Sequence, residues 1–257
     1  MKTICSYQGS KSKYSKKIVQ LINPKTDSRV VDMCCGSGAI TLELLEHVDH
    51  VTMIDKGSWG LFWKEIENGF DLDRLREVMG GLPSDRSLEK DYLLSLAETE
   101  ADIYKWIVLQ AASFGGKEVS IVNGKFAHHG FRPFKIYNNN GRQYHTIYPN
   151  PQELFNRIVS ISRIRSRITA IVDDVMNYLP EEGDIGYIDP PYTGTTGYTN
   201  GFDLHRLVEK WGKNTLFVSE GNPLVGAFAI HKLDDRKKTS LSVKNKNNRS
   251  EYVSEFR

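Results

Sequence analysis

The sequence predicts an α/β fold built on a Rossmann-like mixed sheet, with a long insertion in the middle of the chain. Three observations predict it. An apolar run, Arg29-Val30-Val31-Asp32-Met33, leads into the turn Cys34-Cys35-Gly36-Ser37-Gly38 and then a helical stretch from Ala39 to His47. A second run, Val51 to Ile54, ends in Asp55. A third, Asp184 to Ile188, ends in Asp189-Pro190-Pro191-Tyr192. Short apolar runs bounded by turn residues read as buried strands. In an open α/β sheet, ligands bind just beyond the carboxyl ends of such strands.

The elements follow in order. Tyr7-Gln8-Gly9-Ser10-Lys11 precedes an amphipathic stretch, Tyr14 to Ile22, which Asn23-Pro24 stops. Strand, Gly36-Ser37-Gly38, helix, strand and Asp55 form a nucleoside-binding half-fold. Glycines let the backbone approach a ligand and open a helix N-terminus. Asp55 lies where an acidic residue accepts ribose hydroxyls. A lone GxG is a weak signal, and position 41 is Thr, so the third glycine of the dinucleotide fingerprint is missing. That favours S-adenosylmethionine over NAD as the nucleoside cofactor.

Residues 60–113 read as helices, with Trp59, Phe62, Trp63, Ile66 and Phe70 at core spacing and Ser84 as a cap. Lys117 to Phe126 reads as a hairpin around Asn123-Gly124. Asn138 to Gly141 gives another turn. His128 and His129 are adjacent with no carboxylate at ligand spacing, so no metal site is expected. Pro151 opens a helix to about Arg167, with Ile158, Ile161, Ile164 and Ile168 along one side. Thr169 to Val172 returns to the sheet. Asp173-Asp174 come next, and one of the two is expected near a cofactor adenine, with a solvated turn as the alternative. A glycine-rich run from Thr193 to Asp203, including Tyr198, suits a loop over the site. Leu204 to Trp211 is a helix, Thr215 to Ser219 a strand, and Ala227 to Leu233 and Glu251 to Phe256 a closing strand pair around a basic loop.

Composition narrows the classes. No run of about 18 apolar residues exists, so no transmembrane helix is expected. Three cysteines, Cys5, Cys34 and Cys35, form no CxxC pair, which argues for a reducing cytosol rather than a disulfide framework or zinc site. The net charge of +2 hides polarity along the chain. Residues 60–102 hold 5 Lys/Arg and 11 Asp/Glu, whereas residues 115–170 hold 9 and 2. A second basic block, residues 231–249, holds 7 and 2. Basic blocks interleaved with Tyr, Phe and His suit a phosphate-facing surface, with a merely solvated face as the alternative.

The Asp-Pro-Pro-Tyr ending carries the chemistry. Asp189 is an acceptor when ionised. Pro190 has no N–H and a fixed φ, so its carbonyl points one way, and Pro191 holds it extended. Tyr192 offers a face on which a base stacks, worth about 1–3 kcal/mol. Two acceptors and a ring fit the exocyclic amine of adenine. Asp189-Pro190-Pro191-Tyr192 resembles the catalytic motif of N6-adenine DNA methyltransferases. Related motifs occur in some rRNA methyltransferases and, with Asn in place of Asp, in protein glutamine methyltransferases. Tyr7-x-Gly9-x-Lys11 and Val30 to Gly38 resemble the cofactor motifs of the DNA adenine methylase family, although Met33 and Cys34 stand where that family carries an aromatic. The motif order is that of the D12 class, common in phages, with the cofactor motifs about 150 residues ahead of Asp189. Phe114-Gly115 and Asn123-Gly124-Lys125-Phe126 loosely resemble its target-recognition region.

The resemblance implies a seven-stranded methyltransferase sheet made of residues 1–59 and 168–257, with a recognition region, 60–167, inserted. It implies S-adenosylmethionine bound by Tyr7, Gly9, Lys11, Asp32, Gly36, Ser37, Gly38, Asp55, Asp174 and Asp189. It implies double-stranded DNA as partner, an adenine flipped out of the helix, and a monomer or weak dimer in a prokaryotic or phage-infected cell. Catalysis falls to Asp189, Pro190, Pro191 and Tyr192. DNA contacts are assigned to Lys117, Lys125, Arg132, Arg163, Arg165, Arg167 and Tyr198. The alternatives are an RNA adenine methyltransferase with the same chemistry and a catalytically silent DNA-binding homologue.

Overall fold

The computed structural model describes residues 1–137, 142–190, 203–236 and 249–257. A seven-stranded sheet runs through it. In chain order its strands are β1 (Val30–Met33), β2 (Val51–Ile54), β7 (Ile168–Ile171), β8 (Ile185–Ile188), β9 (Thr215–Glu220), β10 (Ala229–Arg236) and β11 (Arg249–Phe256). Two hairpins lie outside it: β3 (Ser120–Val122) with β4 (Lys125–Ala127), and β5 (Lys135–Tyr137) with β6 (Arg142–Tyr144). The sheet order is β10-β11-β9-β8-β1-β2-β7. Neighbours from β7 to β9 pair in parallel, while β11 runs antiparallel between β9 and β10. This is the Rossmann-like methyltransferase sheet that the sequence predicts. The chain steps outward from β1 to β2 and β7, then returns to β8 on the other side of β1, which makes the carboxyl ends of β1 and β8 the switch point.

Side-chain alternation explains why these short runs are strands. Val30, Val51, Met53, Tyr187 and Phe217 enter the apolar cluster on one face, and Val31, Ile54, Ile188, Leu216 and Val218 enter the other. A parallel sheet covered on both faces needs apolar residues at both phases of the pleat. On the second face lies α8 (Leu204–Trp211), whose Trp211 packs where Gly186 has no side chain. A Cβ at Gly186 would sit 2.5 Å from the indole of Trp211.

The other face carries α1 (Ser15–Ile22), α2 (Ala39–Leu44), α3 (Ser58–Gly69) and the helices of the middle region: α4 (Leu72–Gly80), α5 (Glu89–Ala97), α6 (Ile103–Ala112) and α7 (Pro151–Ser162). α1 ends where Asn23 turns left-handed at φ 47°, just before Pro24. Trp59, Phe62, Trp63 and Trp106 are fully buried and meet edge to face or tilted. They belong to the same cluster as Val30 and Met53, so the middle helices share one core with the sheet. The hairpin at Asn123-Gly124 is present, with both turn residues at positive φ, as the favoured two-residue turn requires. The turn expected at Asn138 to Gly141 lies outside the described residues.

Two local expectations are corrected. Asp85, not Ser84, caps the next turn, its carboxylate accepting from the Ser87 amide at 2.9 Å. The helix opened by Pro151 stops at Ser162 rather than near Arg167, and Ile168 already belongs to β7. Ile164 and Ile168 are both buried, so a strand residue on the core face imitates the next helical position.

Candidate active site

The site forms at the carboxyl ends of β1 and β8. Gly36 and Gly38 adopt positive φ, 46° and 70°, which only glycine takes without strain. The ring of Tyr7 lies over the turn, since a Cβ at Gly36 would come 2.9 Å from its Cε1. The indole of Trp63 donates to the Gly36 carbonyl at 2.8 Å from below. Asp55 clamps the loop, its carboxylate accepting from the Gly36 amide at 3.0 Å and the Gly57 amide at 2.8 Å. Asp32, buried at the end of β1, accepts from the Thr41 amide at 3.0 Å and its hydroxyl at 2.6 Å, tying the strand to the first turn of α2.

Lys11 enters from the loop before α1. It is 5% exposed, and its Nζ lies 2.5 Å from Asp189 Oδ1, 3.4 Å from the Gly9 carbonyl and 3.6 Å from Glu251 Oε1. Two chain segments 178 positions apart therefore meet at one ion pair. The cleft between them is lined by Tyr7, Gly9, Ser10, Ser37, Cys34 and Tyr187, among others.

Its electrostatics are acidic. Burial raises the Asp32 carboxyl to about 7, and the charges of Asp189 and Asp55 add to the effect. Burial also raises Asp55, against the lowering by its amide bonds. Burial, then the Asp55 charge, holds the Cys34 and Cys35 thiols well above their ordinary value. Glu118, from the segment before β3, is raised to about 7 by burial and by Asp55. Each carboxylate here raises its neighbours, so a ligand bearing positive charge would relieve the site.

The structure brings Tyr7, Gly9, Lys11, Asp32, Gly36, Ser37 and Asp189 around one cleft. Gly38 sits just behind it as the N-cap of α2. Asp174 lies past the end of β7, paired with Lys56 at 3.0 Å; the Met176 amide and Lys56 hold it below the usual carboxylate range. Pro190 closes β8 beside Asp189. Pro191, Tyr192 and Tyr198 lie outside the described residues. Among the described residues no cluster of metal-ligating side chains occurs and no helix is long and apolar enough to cross a membrane.

The basic residues separate. Lys117 and Lys125 are exposed, and the Gln8 amide donates to the Gly116 carbonyl at 2.7 Å, which ties the Lys117 segment to the cofactor-motif loop. Arg132 is partly buried, 3.4 Å from the Ala111 carbonyl and over the Tyr148 ring. Arg163, Arg165 and Arg167 precede β7. Ile168 pairs with Val51 and Val51 with Val30, so this cluster stands at the amino edge of the sheet, opposite Asp189. The guanidinium of Arg167 donates to the carbonyls of Leu45 at 2.6 Å, Val48 at 2.8 Å and Asp49 at 3.2 Å, which ties it to the turn that follows α2.

Sequence reasoning missed Glu251. It is buried at 2% exposure and accepts from the Ser219 hydroxyl at 3.3 Å. β11 runs against the other strands, so its beginning, not its end, faces the site. No signal in a linear reading shows that inversion.

Comparisons with known proteins bear on part of the chain. Residues 1–59 match the ubiE/COQ5 methyltransferase family. That segment supplies Tyr7, Lys11, the glycine turn and Asp55. No curated protein matches the chain. Among solved structures it is similar to a conserved hypothetical protein of Streptococcus pyogenes, with 9% identity, 93% of this chain and 94% of that one covered and a TM-score of 0.36. It is likewise similar to a candidate methyltransferase, yhhF of Escherichia coli, at 12% identity, 98% and 92% coverage and a TM-score of 0.36. A third, the candidate methyltransferase SMU.472 complexed with SAH, shares 11% identity over 97% of this chain and 53% of that one, with a TM-score of 0.36. Likeness at this level carries no weight beside the strand order itself, which defines a Rossmann-like methyltransferase fold.

Proposed function

We propose that the chain is an S-adenosylmethionine-dependent methyltransferase acting on the N6 amine of adenine in DNA. The observation that carries the reading is the Lys11–Asp189 ion pair, which sets Asp189, the carboxylate just past β8, beside the glycine-turn pocket. Asp32 and Asp189 line that pocket with Lys11, and Asp55 stands behind its glycine turn; the excess of carboxylates suits a cationic cofactor. S-adenosylmethionine, when bound, supplies an electrophilic methyl group on a positively charged sulfur. Tyr7 and the Gly36 turn would cover it, and Asp55 would take its ribose hydroxyls.

The chain's own residues do the rest. The amine of adenine is unreachable inside a duplex, so the base must leave the stack. Lys11 fixes one oxygen of Asp189, and the carboxylate so held accepts one N6 hydrogen while the Pro190 carbonyl accepts the other. The nitrogen lone pair then points out of the ring plane, toward the pocket. Asp189 does not act as a base beforehand, because a carboxylate of ordinary pKa near 3.9 cannot deprotonate a neutral aryl amine. Its negative charge stabilises the positive charge that develops on nitrogen as the methyl group is transferred, and the methylated, cationic N6 then readily loses its proton to solvent, so positioning and electrostatics dominate. Tritiated methyl transfer offered DNA and RNA in parallel tests the substrate. Label in DNA supports the proposal; label in RNA alone makes the protein an RNA methyltransferase; label in neither removes the activity.

A further inference from the structure

We propose that Glu251 is a positioning residue: it holds Lys11 in place, and through Lys11 sets the acceptor geometry of Asp189. The inference rests on the methyltransferase reading for its kinetic consequence, and on the structure alone for the contact.

A lysine ammonium has three donors on a flexible four-carbon stem. One ion pair would leave it free to swivel. Among the described residues, Asp189 Oδ1 at 2.5 Å and the Gly9 carbonyl at 3.4 Å accept from it, and Glu251 Oε1 at 3.6 Å adds a second ion pair. The three come from separate parts of the fold, the end of β8, the loop before α1 and the start of β11. Glu251 is the most rigidly mounted. It is buried, β11 is flanked by strands on both sides, and Ser219 on β9 donates to its carboxylate at 3.3 Å.

The charge of Glu251 has a further consequence. It stands 3.6 Å from the ammonium that Asp189 binds at 2.5 Å, so it weakens the pull of that ammonium on Asp189. A fully neutralised Asp189 would be a weaker acceptor for an N6 hydrogen. Removing one partner of a buried ion pair is destabilising. A merely structural Glu251 therefore predicts lost stability on neutral substitution, with kcat per folded molecule unchanged.

The test is Glu251→Gln, which keeps the shape and an acceptor oxygen but removes the charge. Two readouts are needed. The first is acylation of Lys11 by an amine-reactive reagent, quantified by mass spectrometry on protein shown to be folded by circular dichroism. Expected is slow labelling of the wild type and labelling several-fold faster in Glu251→Gln. Equal labelling overturns the proposal whether or not the protein transfers methyl groups. The second is methyl transfer: kcat should fall about 10-fold, with KM for DNA unchanged. The Lys11→Met/Glu251→Gln double variant should be no slower than Lys11→Met alone. Independent, multiplying losses would place Glu251 outside the Lys11 path and overturn it. A wild type that labels as expected but methylates nothing would fail the methyltransferase reading and leave the contact standing.

Discussion

Asp32 shows how much the site asks of single residues. It is a carboxyl with almost no access to water, raised to about 7. The unfolded chain ionises it near 3.8, the folded chain near 7. Between those values the unfolded state has lost the proton and the folded state keeps it, so stability falls as pH rises from about 4 to 7 and the penalty is complete above that. At roughly 1.4 kcal/mol for each tenfold change in proton affinity, the contribution is up to about 4 kcal/mol. Thermal midpoints measured across that window should drop in the wild type and drop less in Asp32→Asn, which keeps an acceptor for Thr41. Parallel curves would contradict the assignment. Asp55 has a different task. Removing it by Asp55→Ala frees the Gly36 amide and should weaken S-adenosylmethionine binding by about 1.5–3 kcal/mol, the range for hydrogen bonds to charged groups; calorimetry decides. The glycine turn was legible in the sequence because Gly36 and Gly38 take a positive φ that favours glycine. Glu251 was not, because its place depends on the direction of a strand.

Among the elements, β7 and the segment before it separate charge from function. A count of arginines marks Arg163, Arg165 and Arg167 as a phosphate surface, but charge in sequence carries no information about which edge of a sheet it will occupy. In a parallel sheet, the residues before a strand and the residues after it stand at opposite edges. Arg167 holds the turn after α2, where it donates to the carbonyls of Leu45 and Val48. Arg167→Ala should therefore lower unfolding free energy by about 1.5–3 kcal/mol in urea titrations, with DNA affinity unaltered. A variant as stable as wild type that binds DNA less well would return Arg167 to the DNA surface. The same segment shows why sequence periodicity overextends α7. Ile158, Ile161, Ile164 and Ile168 keep a helical rhythm into a strand whose inner face happens to be in phase with it, and periodicity alone cannot mark the change.

At the scale of the whole molecule, the sheet order could be anticipated from the motif order, since a cofactor half-fold joined late by Asp-Pro-Pro-Tyr fixes which strands flank the switch point. The middle region was legible as helices and a hairpin but not in its packing, because its aromatic residues fill the sheet's own core rather than a separate one. Lys117 and Lys125 remain the candidates for phosphate contact, and each removed should make the salt dependence of DNA binding shallower by about one unit of slope. Arg163→Ala and Arg165→Ala should leave that slope unchanged. The central claim is the chemistry at Asp189. Its most direct measurement is mass spectrometry of nucleosides from DNA incubated with S-adenosylmethionine and either the wild type or Asp189→Ala. The account predicts N6-methyladenine with the wild type, formed at least about 10²-fold more slowly by the variant. Equal yields from the two proteins, or a methyl group on any other base, would contradict it.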